Sequence, residues 1–449
     1  MTAPRGEGRA AVALLVAFLL VRLYFLIARE PFFDELFTIW MASKPLGEIL
    51  PALRLDSGPP LYYLIARTTD LGALRLLSLA FATGGFVALL LWRSLGPMRF
   101  VAAALLVVHP PSVIYAVDAR AYALAGALVA IGVLLLATKR PFAAAAALVL
   151  AAYAHFLAVL FLPLLLLARK RGAAALALAG VAFVPGALLA LSQPAEAMAW
   201  QAAETPFAAL MGLSFVGNYP EALLSTPPLW LVLVAIVATV AAFSRSWRFA
   251  PYVLIPVAGA IVLGLAGRDV YTPLRFETLL AVPLALWIAD SLRVWKKPVA
   301  VALAGVLIAA AGWTLWRGGR AFADAPESHW VATVRNAAKI ARRGEPIVAT
   351  GYYVLAAATT LDREVVAFPE EQGKHPGWRS RPTLAEAASA TRSLPPGAFV
   401  IVGDLHDPEL QAVAASRTLR VLYRTGQTVI GHVPAASGAD SAGNPANFQ

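Results

Sequence analysis

Long apolar runs separated by short basic clusters fill the first 320 residues of the chain. A helix that crosses the hydrocarbon core needs about 20 apolar residues, and runs of this kind start at Ala10–Ala28 and recur up to Trp316. Between them stand Arg5/Arg9, Arg93/Arg99, Lys139–Arg140, Arg169–Lys170–Arg171, Arg245/Arg248 and Arg293/Lys296–Lys297. Lys and Arg beside membrane helices mark the cytoplasmic side, so each successive pair of clusters requires two crossings. Polar breaks at Asp118–Arg120, Gln193–Thr226 and Arg268–Thr272 supply outer turns. Between Arg140 and Arg169 the apolar run fits one long helix or two short ones turning near His155; a single crossing would strand Arg169–Lys170–Arg171 outside, so two are expected. The pattern therefore predicts about eleven transmembrane helices, with the N-terminus cytoplasmic and everything after Trp316 extracytoplasmic. The first run follows a short basic start, as a secretory signal would, but no small-residue cleavage site precedes Pro31–Phe32–Phe33, so it reads as a retained helix.

From about Arg320 the pattern changes: charge and glycine rise and apolar runs shorten to strand length. Ser328–Arg342 reads as a helix, Pro346–Thr350 and Glu364–Phe368 as strands, Leu384–Leu394 as a helix and Ala398–Val402 as a strand, with a final helix and strands up to Val433. The expected organisation is a transmembrane domain over 1–319, including a first outer loop at 29–72 with juxtamembrane helices. A small soluble α/β domain over 320–434 and a disordered tail at 435–449, rich in Gly, Ala, Ser and Asn, complete it.

Composition agrees with a multi-pass, α-helical membrane protein: of 449 residues 59% are hydrophobic and 14% charged, and the mean hydropathy is +0.70. The net charge of +11 would suggest nucleic acid in a soluble chain. Here the basic residues lie in helix-orienting clusters and no basic face interleaves with aromatics, so no nucleic-acid partner is expected. With no cysteine, disulfides, thiolate metal sites and cysteine nucleophiles are excluded. No internal repeat is evident, which weighs against the repeat-built transporters.

The candidate chemistry lies on the outer side. The first loop carries Asp34–Glu35 ahead of an aromatic-apolar helix, then a short helix over Pro45–Leu53, then Asp56–Ser57–Gly58–Pro59–Pro60. Both helices look amphipathic and would lie along the membrane surface. Two acids at a helix start are commonly just complements to the macrodipole. Arg75, Asp118, Arg120 and Arg275 recur at the same expected level, however, and acids with arginines can do chemistry together: a carboxylate removes a hydroxyl proton while guanidinium groups clamp a phosphate. Charges at helix ends also serve as snorkelling anchors. His155 reads either as a substrate contact or as an interfacial histidine. Arg22 reads either as an outward snorkel or as the partner of an acid. The aromatics Trp200, Phe207, Phe215 and Tyr219 would cover a lipid or form an interfacial belt.

Asp34–Glu35, Asp56-x-x-Pro59–Pro60, the Ala73–Ser78 opening of the second membrane helix with its Arg75, and Tyr115–Ala–Val–Asp118–Ala–Arg120–Ala–Tyr122 resemble the GT-C fold glycosyltransferases that use lipid-phosphate sugars. Protein O-mannosyltransferases and the aminoarabinose transferase of lipid A are members of that group. The resemblance spans roughly the first 290 residues and is strongest before residue 125. It implies a GT-C membrane domain, with Asp34 as catalytic base and Glu35 beside it positioning substrate. Asp56, Arg75, Asp118, Arg120, Tyr122 and Arg275 are the implied substrate-binding set, to which His155 is added from its place at an outer turn, and Tyr271–Glu277 stands where the family has a late Arg-Tyr motif. Phe276 replaces its tyrosine, and Ser57–Gly58 stands where mannosyltransferases carry a histidine, so protein mannosylation is less expected than the general reaction.

The implied reaction moves a sugar from a polyprenyl-phosphate donor to a hydroxyl of a glycan, lipid or protein acceptor, with inversion, at the outer face of a bacterial or archaeal plasma membrane. Neighbouring carboxylates raise one another's pKa, which suits a base working near neutral pH. The acids Asp34, Glu35, Asp56 and Asp118 could instead hold a divalent cation, although a monophosphate donor met by arginines does not demand one. The competing reading is a transporter or flippase of a lipid-linked sugar, whose acids should sit near mid-membrane on discontinuous helices.

Overall fold

The computed structural model describes residues 5–28, 31–194, 215, 236–241, 243, 246–266, 275–323, 330–341, 345–350, 352–361, 365–368, 394, 397–403, 419–424 and 428–434. In chain order the helices of the first half are α1 (Arg5–Ala28), α2 (Phe33–Ser43), α3 (Leu46–Leu53), α4 (Leu61–Ile65), α5 (Leu71–Leu91), α6 (Met98–Val108), α7 (Pro110–Ile114), α8 (Tyr122–Ala137) and α9 (Pro141–Ala154). A 3-10 segment (Phe156–Ala168), α10 (Arg169–Ser192), α11 (Pro251–Leu265), α12 (Arg275–Leu292), α13 (Lys297–Ala323), α14 (Trp330–Ile340) and α15 (Tyr352–Thr360) follow. The strands are β1 (Ile347–Thr350), β2 (Val365–Phe368), β3 (Phe399–Gly403), β4 (Arg420–Arg424) and β5 (Thr428–His432). The chain divides into two compact units, Met1–Arg29 with Pro45–Ala325 and Glu30–Lys44 with Pro326–Gln449.

The first unit is a multi-pass bundle of apolar helices. Among the described residues, four stretches are long and apolar enough to cross a membrane: Gly6–Ile27, Leu71–Leu91, Phe156–Ser192 and Lys297–Trp316. Met98–Val108, Tyr122–Ala137, Pro141–Ala154 and Pro251–Leu265 are shorter apolar helices. The expected crossing between the 193–226 break and Arg245 lies largely outside the described residues. α12 is buried from Phe276 along nearly its whole length and packs on both α6 and α8. α8 also packs on α9 and α5. A Cβ on Gly132 would come within 2.7 Å of the Leu148 side chain, so glycine lets α8 lie close to α9 without displacing that leucine, as small residues do in membrane helix pairs.

The ambiguous stretch between Arg140 and Arg169 resolves into two pieces. α9 ends at Ala154, and His155 is extended, with φ −151° and ψ 123°. Its Nδ1 accepts the Leu157 N–H at 3.3 Å and opens the 3-10 segment. Thirteen residues of α-helix would span only about 20 Å, whereas the 3-10 rise of about 2.0 Å per residue stretches them to about 26 Å. The short run thereby approaches bilayer thickness. Arg169, at φ 54°, then breaks it from α10. Lys139, at φ 60°, does the same between α8 and α9. Left-handed turns at two non-glycine residues coincide with two of the basic clusters that set the expected topology.

Arg22 follows neither of the two readings its sequence context allowed. It is fully buried in α1, and its guanidinium donates to the Leu106 carbonyl at 3.0 Å, the Val107 carbonyl at 3.3 Å, the Phe18 carbonyl at 3.3 Å and Ser112 Oγ at 3.2 Å. α6 ends at Val108 because Pro110 and Pro111 follow. A helix end leaves carbonyls without intrahelical donors and with partial negative charge; Arg22 serves them. Arg22→Leu is expected to destabilise the protein by about 1–3 kcal/mol, since apolar surroundings offer those carbonyls no replacement. Thermal denaturation of the purified protein in detergent checks this, and an unchanged midpoint would show that the carbonyls find other donors.

The second unit is built on a five-stranded sheet of order β2-β1-β3-β5-β4. β1 pairs in parallel with β2 and β3, and β5 runs antiparallel between β3 and β4. All four β1 residues are buried, as expected for a parallel strand covered on both faces. Val348, Ala398, Val400, Leu419 and Val429 form its core. The helix and three strands expected within 328–402 correspond to α14, β1, β2 and β3. The expected helix at Leu384–Leu394 and the tail at 435–449 lie outside the described residues, apart from Leu394. α15, not expected from the sequence, packs on β1 and β2. Its Tyr353 hydroxyl pairs with Thr428 Oγ1 at 2.7 Å, and burial lifts that phenol above the ordinary tyrosine range.

α2 belongs to this second unit, whereas the sequence pattern assigned the whole of 29–72 to the membrane domain. Its Leu36, Phe37, Met41 and Ala42 are buried, and the helix packs on α15. The amphipathic stripe that suggested a membrane surface thus has a protein partner.

Candidate active site

In the first unit five of the seven expected substrate-binding residues, all but His155 and Arg275, lie on three features. The first is the loop after α3. Asp56, 6% exposed, donates its N–H to the Leu53 carbonyl at 3.1 Å and so continues the last turn of that helix. A Cβ on Gly58 would stand 3.4 Å from Asp56 Oδ2 and 3.6 Å from the Tyr63 hydroxyl, so glycine leaves acid and phenol flanking one point. Pro60 then caps α4, which buries Tyr62 and Tyr63. Gln193 ties the loop down, donating from Nε2 to the carbonyls of Leu53 at 2.8 Å and Gly58 at 2.9 Å.

The second feature is the start of α5. Asp70 is its N-cap, accepting the Ala73 N–H at 2.6 Å, an arrangement that satisfies an otherwise orphaned donor. The cap places Arg75 in the second turn and Ser78 one turn further on the same face. Both are buried. Arg75 donates to the Leu26 carbonyl at 3.4 Å near the end of α1. Ser78 Oγ and the Tyr62 hydroxyl share a hydrogen bond of 3.0 Å.

The third feature is the turn Asp118–Tyr122 between α7 and α8. The Arg120 N–H returns to the Asp118 carbonyl at 2.7 Å, while Arg120 Nη1 donates to the Tyr63 hydroxyl at 2.7 Å. Asp118 is buried beneath this turn. Tyr122 opens α8 with its ring 4.5 Å from that of Tyr115, 5.0 Å from His155, and 5.5 Å from the Arg275 guanidinium. Arg120 and Tyr63 thus join the Asp56 loop to the Asp118–Tyr122 turn, and Tyr122 joins that turn to His155 and Arg275. His155 combines a helix-opening hydrogen bond with this ring contact. Phe276, in place of the expected tyrosine, is fully buried with its ring 6.4 Å from that of Phe161, surroundings that would leave a phenol hydroxyl costly.

Asp34 and Glu35 sit in the second unit, in the first turn of α2. Glu35 is buried, and its Oε2 accepts the Phe32 N–H at 3.1 Å. This carboxylate anchors the start of its own helix. Asp34 is partly exposed, and its carbonyl accepts the Thr38 hydroxyl at 3.2 Å.

Tyr62, Tyr63, Ser78 and Gln193 were not among the expected site residues. Only Ser78 lies inside a quoted motif, at the end of Ala73–Ser78; Tyr62 and Tyr63 stand just past Pro59–Pro60, where phenols after prolines are the available signal, and nothing marks Gln193. Of the loop aromatics, Phe215 is buried with its ring 5.1 Å from His109; Trp200, Phe207 and Tyr219 lie outside the described residues, as does Tyr271. Among the described residues no group of three or more His, Asp and Glu side chains could hold a metal ion.

No protein-family model matches the chain, and no curated protein does. Solved structures do. The chain is similar to ArnT from Cupriavidus metallidurans in the apo state, with a TM-score of 0.55 at 12% identity, covering 95% of this chain and 99% of that one. It is likewise similar to the same protein bound to undecaprenyl phosphate, with a TM-score of 0.56 at 11% identity, covering 96% and 99%. At this identity the likeness speaks for the fold, and it extends from the membrane bundle through the C-terminal sheet domain. The chain has the GT-C fold that its motifs resemble.

Proposed function

We propose that this protein is a membrane glycosyltransferase that moves a sugar from a polyprenyl phosphate to an acceptor hydroxyl. The observation that carries the proposal is the end-to-end fold likeness to ArnT, one structure of which holds undecaprenyl phosphate. Within that fold the first unit links Asp56, Tyr63, Arg120, Tyr122, His155 and Arg275 by the contacts described above. Fold alone does not fix a reaction; these acids, phenols and guanidinium groups suit a sugar phosphate.

In the proposed reaction Asp34 accepts the proton of the acceptor hydroxyl. The freed oxygen attacks the anomeric carbon, and the bond from that carbon to the phosphate oxygen breaks with its electron pair going to the leaving polyprenyl phosphate. Attack from the face opposite the leaving group inverts the centre. A phosphate monoester leaves without a strong general acid, so the remaining need is charge stabilisation, assigned to Arg75, Arg120 and Arg275. Asp56 and Asp118 are assigned to sugar hydroxyls and to orienting the arginines, with Tyr122 and His155 forming a wall of the sugar site. Glu35, expected beside Asp34 as the substrate-positioning residue, is buried and bonded to Phe32 N–H, and it is assigned instead to holding Asp34.

Purified protein in liposomes, given undecaprenyl-phosphate-linked pentoses and hexoses with a membrane extract as acceptor, is expected to release undecaprenyl phosphate. Movement of intact donor across the bilayer without release would instead favour the flippase reading. We further assign the active side to the extracytoplasmic face, on the basic-cluster count. A reporter fused after Trp316 is expected to be active only outside the cytoplasm, and a cytoplasmic signal would overturn that orientation.

A further inference from the structure

The helix that carries Asp34 has its packing partners at the other end of the sequence. Phe32 and Phe33 immediately precede the acid, and both rings stand against Trp330, the first residue of α14, at centroid distances of 6.2 and 6.0 Å. The Phe33 contact is edge-to-face, at 89°, an arrangement aromatic pairs favour. Trp330 is itself only 8% exposed. On the far side of Asp34, the Glu35 carboxylate closes back on Phe32 N–H, and the rest of α2 packs on α15. Asp34 is therefore the residue between a phenylalanine gripped by Trp330 and a glutamate bonded to the backbone of the other gripped phenylalanine.

We propose that Trp330 is a positioning residue for the Asp34–Glu35 pair, so that the C-terminal domain is a working part of the transferase rather than an appended module. The inference rests on the reading of Asp34 as base. Trp330 touches no reacting atom in this scheme; it acts by fixing the first turn of α2. A general base works only over a narrow range of positions, and displacement by about 1 Å can cost on the order of 10²-fold in rate.

The test uses the full chain in lipid nanodiscs, as Trp330→Ala, Trp330→Leu and Trp330→Phe, with Asp34→Asn alongside. Hydrogen exchange at residues 33–43 needs no donor: Trp330→Ala is expected to speed it at least tenfold, and Trp330→Phe to leave it within threefold. Affinity for undecaprenyl phosphate should stay within twofold in all three Trp330 variants. Turnover of undecaprenyl-phosphate-linked sugars should fall ten- to a hundredfold in Trp330→Ala and recover in Trp330→Phe. Unchanged exchange in α2, or loss of turnover matched by loss of undecaprenyl phosphate affinity, overturns the proposal. Should Trp330→Ala fail to fold, Trp330→Leu, which keeps apolar volume but no ring, is read against the same outcomes. If Asp34→Asn retains full turnover while the exchange results come out as expected, the assignment of the base has failed and not the packing of its helix.

Discussion

Asp34→Asn is expected to lower turnover by about 10²–10⁴-fold, the usual contribution of a positioned general base. The substitution keeps size and hydrogen-bonding capacity but cannot take the acceptor's proton. The residue is partly exposed in the first turn of α2, and the described packing of that helix uses Leu36, Phe37, Met41 and Ala42, so the fold should be kept. The loss should fall on turnover, with undecaprenyl phosphate affinity nearly unchanged. Release of undecaprenyl phosphate from its sugar conjugate at the wild-type rate would remove Asp34 from the mechanism.

The second large effect is expected on donor binding. Arg120 donates to the Tyr63 hydroxyl at 2.7 Å and belongs to the turn that also carries Asp118 and Tyr122. A guanidinium bonded to phosphate contributes about 1.5–3 kcal/mol, so Arg120→Ala should weaken undecaprenyl phosphate binding by roughly 10- to 100-fold. Arg120→Lys should recover only part, since an ammonium cannot offer the planar fork. Isothermal titration or a competition assay in nanodiscs reads this directly. Equal affinity in wild type and Arg120→Ala would leave the residue as a tie to Tyr63 and nothing more.

Much of the fold could be read from hydrophobic periodicity because a bilayer imposes one strong rule, a run of about 20 apolar residues per crossing. The rule works least well where the protein departs from ideal geometry, as at Phe156–Ala168, where 3-10 turns stretch a short run. The positive-φ break at Arg169 fell where the basic clusters demanded a reversal. Backbone acceptors were the blind spot: Arg22 looked as if it needed an acid or water, because the carbonyls at the end of a proline-terminated helix have no letter in the sequence.

The site was legible to a different degree. Asp56, Arg120 and Tyr122 were visible because charged and phenolic side chains in apolar context are costly and therefore informative. Tyr63 and Gln193 were missed: Tyr63 lies past the end of the Asp56–Pro60 motif, and a glutamine at a helix end carries no such signal. The largest departure concerns α2. An amphipathic helix near a bilayer has the same pattern whether lipid or protein covers its apolar face, and only the fold shows Phe32 and Phe33 against Trp330.

That pairing also sets an order of events during synthesis. The ribosome makes α2 close to the start of the chain and Trp330 only some 290 residues later, a delay of roughly 15–60 s at typical elongation rates. Through that interval α2 exists without the tryptophan on which its first turn packs. The contact of Arg120 with Tyr63 can therefore form while α2 still lacks the ring that Phe32 and Phe33 pack against.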